Sequence, residues 1–184
     1  MSGMTPEQEQ FTKNNINKWA PHVNLKFEFT NEANADVRIA GNNTAYAGSS
    51  KVGKNSKTPP TDAPSMSIGF ANGLGEKTAG QVIHEFGHAL GLKHEHQHPD
   101  RTLDFNKKTV YKHYESLGKP RSDGDSQMLN MFNPDKIYSS EYDQRSIMHY
   151  PFPGNFLNNN TPTPENNELS ATDIQFISRM YPKY

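Results

Sequence analysis

The stretch VIHEFGHALGLKHEHQHP, Val82 to Pro99, places three histidines in the spacing H-E-x-x-H-x-x-G-x-x-H, and no other feature constrains the chain as strongly. Positions four apart share one face of a helix, so His84 and His88 aim their imidazoles at a common point. A straight helix would carry the chain away from that point. Gly91 is able to take the positive φ that ends a helix and turns the backbone, which brings His94 back as a third nitrogen ligand. Three neutral imidazoles leave one vertex of a tetrahedral zinc ion open, as catalysis requires and structural cross-linking does not. Glu85, next to the first ligand, is then the candidate general base for a water held at that vertex.

Composition narrows what surrounds this site. The chain of 184 residues suffices for one domain with its own core. It has no cysteine, which excludes a disulfide framework, a thiolate metal site and a cysteine nucleophile, so any metal must be held by nitrogen and oxygen. A net charge of −1 gives no basic field for nucleic acid or an anionic membrane, and neither is expected as a partner. The start MSGMTPEQEQ has no signal-peptide apolar core, and no apolar run reaches membrane-spanning length.

Thr5-Pro-Glu-Gln reads as a helix cap, followed by an amphipathic helix to Trp19. VNLKFEFT (Val23 to Thr30) and ADVRIA (Ala35 to Ala40) alternate apolar and polar residues, which predicts two half-buried strands. The stretch from Gly41 to Pro64, rich in Gly, Asn, Ser and Lys, predicts loop with a short strand around Ala45 to Val52. PSMSIGF (Pro64 to Phe70) predicts a strand, Thr78 to Leu92 the best helix, and Asn106 to Leu117 another. GKPRSDGDSQ reads as polar loop, without the ligand series of a calcium site. Ser170 to Pro182 predicts a capped C-terminal helix. His96, His98 and His149 are expected to be hydrogen-bonded or solvent-facing rather than metal-bound.

HEFGHALGLKHE, followed far downstream by SIMHY (Ser146 to Tyr150), resembles the metzincin metallopeptidases and, through Glu95 after the third histidine, the astacin family. The resemblance implies an α+β zincin fold. It has an N-terminal twisted mixed sheet with two helices, an active-site cleft, and an irregular C-terminal subdomain ending in a helix, with the division near residue 95. It implies one catalytic Zn²⁺ on His84, His88 and His94, with Glu85 as general base, and Met148 in a tight turn under the ligands. Tyr150 is implied as a mobile phenol that donates to the oxyanion. Ser65, Met66, Ser67, Ile68 and Gly69 are implied as an edge strand that pairs with an extended substrate. The absence of the family's usual cysteines resembles a microbial branch.

The function so implied is that of a monomeric, secreted zinc endopeptidase acting on protein or peptide substrates. Two alternatives stand beside it: a non-hydrolytic zinc-dependent peptide-binding module, and a toxin or effector protease with a single protein target. In many astacins the carboxylate after the third histidine meets the mature N-terminus; the start Met-Ser-Gly gives no indication of that arrangement here.

Overall fold

The computed structural model describes residues 1–45 and 48–183. The chain divides into two compact units, Met1–Lys93 with Asn167–Tyr184, and His94–Asn166. The closing helix therefore counts with the first unit, whereas sequence alone groups everything after residue 95 together.

In the first unit, helix α1 (Pro6–Ile16) begins at a capping box: the Thr5 side chain accepts from the Gln8 N–H while the Gln8 side chain accepts from the Thr5 N–H. These two bonds satisfy donors that a bare helix end would leave open, a contribution of about 1 kcal/mol. The helix buries Thr12 and Ile16. Just beyond it Trp19 is wholly buried, and its indole N–H donates to the Ile83 carbonyl at 3.1 Å. That bond pins the start of the chain to helix α2 (Glu76–Ala89) one residue before the first zinc-motif histidine.

A three-stranded mixed sheet lies against α2, with β1 (Ile39–Asn42), β2 (Ser49–Ser50) and β3 (Met66–Gly69) in the order β1-β3-β2. Strand β3 runs parallel to β1 and antiparallel to β2, in register Ile39↔Met66 and Ser49↔Ser67. Met66 and Ile68 are buried, as are Val82, Ile83 and Phe86 of α2, each such side chain contributing roughly 1.5–3 kcal/mol.

Two expectations about this sheet are corrected. Ser65 to Gly69 are not an edge strand: Met66, Ser67, Ile68 and Gly69 form the central strand, and the edge beside it is β2. Val23 to Thr30 form no strand either. The outer side of β1 is taken by the N-terminal segment, where Ser2 N–H donates to the Ile39 carbonyl and Gly41 N–H to that of Ser2. The segment from Val23 is instead held by Asn24 N–H on the Tyr181 carbonyl and by Phe27 edge-on against Phe86, centroids 5.0 Å apart. Of the short strand expected over Ala45 to Val52, only Ser49–Ser50 is seen, and Tyr46 and Ala47 lie outside the described residues.

The closing helix α5 (Ala171–Met180) carries a second capping box, Ser170 with Asp173, and buries Ile177. Just past it, the Tyr181 hydroxyl donates to the Leu90 carbonyl at 2.8 Å, holding the end of α2.

The second unit has its own core of Phe105, Val110, Met128, Phe152 and Leu157. Helix α3 (Lys107–Ser116) is capped by Asn106, whose side chain accepts from Thr109 N–H. The stretch expected as polar loop contains α4 (Arg121–Gly124) and a wider turn over Asp125–Leu129. A Cβ on Gly124 would lie 3.2 Å from side-chain atoms of both Tyr114 and Val110, and Met128 enters the core, so tertiary contacts order a segment with little apolar content.

Candidate metal centre

Helix α2 carries His84 and Glu85 one turn before His88. Its C-terminus follows from Gly91, which has φ +104, a conformation that a residue with a Cβ rarely adopts. With the helix stopped there, one ring nitrogen each from His84, His88 and His94 come within 4.8 Å of one another. The His84 and His88 rings meet edge to face, centroids 4.8 Å apart.

The tautomer of His88 is set by its surroundings. Nδ1 lies 2.8 Å from the Leu92 carbonyl oxygen, and a carbonyl only accepts, so Nδ1 bears the proton and the Nε2 lone pair is left for a ligand. Burial lowers the His88 pKa, opposed in part by that same bond, which keeps the ring in the neutral form that binds metal. The donor set is nitrogen only and holds three groups, which fits a zinc ion with an open vertex.

Glu85 is 7% exposed, and burial pushes its carboxyl up to about 8 in the metal-free protein. Directly against it stands Gly48, the residue before β2. A Cβ at position 48 would lie 2.6 Å from Glu85 Oε1 and 2.6 Å from Gln81 Nε2. Among the described residues, neither polar atom of the buried Gln81 carboxamide has a hydrogen-bond partner. Sequence reasoning picks out neither Gly48 nor Gln81: Gly48 sits in a stretch rich in small polar residues, and its meeting with α2 is a matter of tertiary packing.

In the second unit, Met148 is buried in a turn closed by His149 N–H on the Ser146 carbonyl. Its own N–H donates to Ser146 Oγ, and its carbonyl accepts from Glu95 N–H at 3.0 Å. The Glu95 carboxylate accepts from Asp143 N–H at 2.8 Å, so Glu95, the residue after His94, is bonded both to Met148 in the methionine turn and to Asp143 ahead of that turn. Tyr150 is 39% exposed, with its ring 4.3 Å from that of His94.

The remaining histidines of these two motifs are hydrogen-bonded. His149 Nδ1 donates to the Tyr150 carbonyl and its Nε2 accepts from the Tyr142 hydroxyl. His98 Nε2 donates to the Ser140 carbonyl, and its Nδ1 accepts from Asp100 N–H. His96 is wholly buried with Nε2 on the Gln127 carbonyl.

Three imidazole nitrogens brought together by a helix that also carries the buried Glu85, within an α+β fold, are the layout of the metzincin-type zinc peptidases. Residues 1–182 match the astacin peptidase family, and the chain belongs to that family. Among solved structures it is similar to that of myroilysin, at 30% identity with a TM-score of 0.90 over 99% of this chain and 90% of that one. The medaka (Oryzias latipes) hatching-enzyme zinc-protease HCE-1 shares the fold at 18% identity and TM-score 0.64, over 100% of this chain and 88% of that one. In sequence it is 34% identical to Protein SpAN of Strongylocentrotus purpuratus over 116 residues, 55% of this chain. It is 27% identical to Blastula protease 10 of Paracentrotus lividus over 188 residues, 95% of this chain. The chain spans 17% of the first of these two proteins and 29% of the second.

Proposed function

We propose that the protein is an endopeptidase that hydrolyses peptide bonds of protein or peptide substrates at a single zinc held by His84, His88 and His94. The observation that carries this reading is the convergence of the three ring nitrogens within 4.8 Å, with Glu85 between the first two in sequence. When bound, zinc supplies Lewis-acid polarisation of the scissile carbonyl and brings the pKa of water toward about 7.

Glu85 takes the proton of the attacking water and hands it to the leaving amine. Burial raises the Glu85 carboxyl in the metal-free protein, which favours keeping a proton once it is taken, while a cation held by the three histidines would favour the carboxylate that first accepts it. His88 is held in its ligand tautomer by Leu92. Tyr150, partly exposed beside His94, donates its phenolic hydrogen to the oxyanion that forms on the carbonyl oxygen. An extended substrate adds along β2, the sheet edge that begins just after Gly48 beside the base.

Family membership supports a secreted setting. Among the described residues, no helix is long and apolar enough to cross a membrane.

The test is digestion of casein and of a mixed peptide library by the purified protein. Cleavage that a chelator abolishes and added zinc restores is the expected result. A zinc-loaded protein that binds these peptides but cleaves none would replace this reading with a peptide-binding module.

A further inference from the structure

His96 is a buried aromatic group that the proposed chemistry leaves without a task, and it lies against two residues that have one. Its ring stacks on Tyr150, centroids 4.7 Å apart and planes 26° from parallel, and on His94 at 5.2 Å and 24°. The Tyr150 and His94 rings are themselves 4.3 Å apart. The three rings thus form one mutual cluster, and its innermost member is locked. His96 is 0% exposed, its Nε2 donates to the Gln127 carbonyl at 2.9 Å, and Phe152 closes on it edge-on at 5.2 Å. Tyr150 by contrast reaches the surface.

We propose that His96 is a positioning residue for peptide hydrolysis: its fixed face is the surface on which the Tyr150 ring rests beside His94. The inference depends on the proposed role of Tyr150 and deepens it. A phenol that must reach a transient oxyanion gains from a resting place defined to a fraction of an ångström, since a loosely held group loses part of its effect to misorientation. Offset stacking of flat rings supplies that definition and still lets Tyr150 slide or lift, because the attraction falls off gently as one face moves over the other. His98, two residues on, makes backbone bonds of its own to Ser140 and Asp100 and takes no part in the cluster.

Two substitutions separate the ring from its hydrogen bond. His96→Gln keeps a donor for the Gln127 carbonyl and loses the flat face; His96→Phe keeps the face and loses the donor. With a quenched fluorogenic peptide taken from the casein digest, kcat of H96Q should fall about tenfold with KM changed less than about twofold, and H96F should recover most of that loss. Tyr150→Phe should lower kcat by itself, and the double variant H96Q/Y150F should be no slower than Y150F. In chelator-treated protein, NMR of ring-¹³C-labelled tyrosine should show the Tyr150 resonances displaced in H96Q and near their wild-type positions in H96F. Should H96Q fail to fold, His96→Met, which fills the space without a flat face, takes its place in each comparison. Equal impairment of H96Q and H96F, or losses that multiply in the double variant, or Tyr150 resonances that H96Q leaves unmoved, would each overturn the proposal while leaving the zinc chemistry standing. Full activity in Y150F would instead remove the role of Tyr150, and the proposal with it.

Discussion

A Cβ attached to Gly48 would stand 2.6 Å from Oε1 of Glu85 and 2.8 Å from its Cγ, closer than non-bonded atoms come. The proposed general base is therefore seated against bare backbone at the head of the sheet edge, far from it in sequence. The absent side chain makes room for the carboxylate, and any side chain placed there must move either the strand or the base.

Gly48→Ala should accordingly reduce kcat by one to two orders of magnitude, because displacing a catalytic group by about 1 Å costs on that scale. Zinc content should stay at the wild-type level, since the nearest atoms a Cβ at position 48 would meet belong to Gln81 and Glu85, neither of which is a ligand. The check is steady-state kinetics beside elemental analysis of the same sample. Wild-type kcat in G48A would mean that Glu85 reaches its working position without this support.

Glu85→Gln removes the proton acceptor and leaves the histidines in place. Hydrolysis should drop by at least about 10²–10⁴, the usual worth of a general base, with stoichiometric zinc retained. Peptide turnover and metal content, measured together, decide it. Normal turnover in E85Q would remove Glu85 from its assigned role.

Much of the site is legible in sequence because its ligands lie close together in the chain and their convergence is local: a helix face, one glycine and a turn. The starts of α1 and α5 are legible for the same reason, through Thr5 with Gln8 and Ser170 with Asp173. What is not legible depends on partners distant in the chain. Val23 to Thr30 alternate as a strand should, yet β1 offers them no edge because Ser2 occupies it. The resemblance implies an edge strand over Ser65 to Gly69, and the pattern of that one strand does not reveal that Ser49 and Ser50 return on its open side. The packing of His96 on Tyr150 joins residues far apart in sequence, and a histidine inside a histidine-rich run gives no local sign that it is the wholly buried one.

His88→Ala should abolish stoichiometric zinc and with it activity. The wild-type protein should lose thermal stability on chelation and regain it with zinc, by an amount that grows with the logarithm of free metal. H88A should be insensitive to the same additions. Differential scanning calorimetry with and without a chelator checks this, and a melting temperature indifferent to zinc in the wild type would contradict the metal centre.

Two buried groups set opposite pH dependences on the stability of the metal-free protein. Glu85 is raised by burial to about 8 from 4.5. Its contribution is fully present below about 4.5 and lost as pH rises toward 8, because the unfolded chain releases a proton that the folded one keeps. His96 is lowered to about 4 from 6.5, first by burial, with the bond to Gln127 opposing and the charges of His149 and Arg101 assisting. Its contribution is present above about 6.5 and lost as pH falls toward 4, because the unfolded ring takes up a proton that the buried one refuses. Each acts with a slope of roughly 1.4 kcal/mol per pH unit, so between about 4.5 and 6.5 the two cancel. Relative to wild type, metal-free E85Q should gain stability steadily from about pH 4.5 to 8. H96F should gain it relative to wild type as pH falls from about 6.5 to 4. Denaturant melts of the three chelated proteins across this range, compared as differences so that the remaining carboxylates drop out, test both signs. A wild-type difference from E85Q that does not change between about pH 5 and 8 would mean that Glu85 ionises as freely in the folded protein as in the unfolded chain.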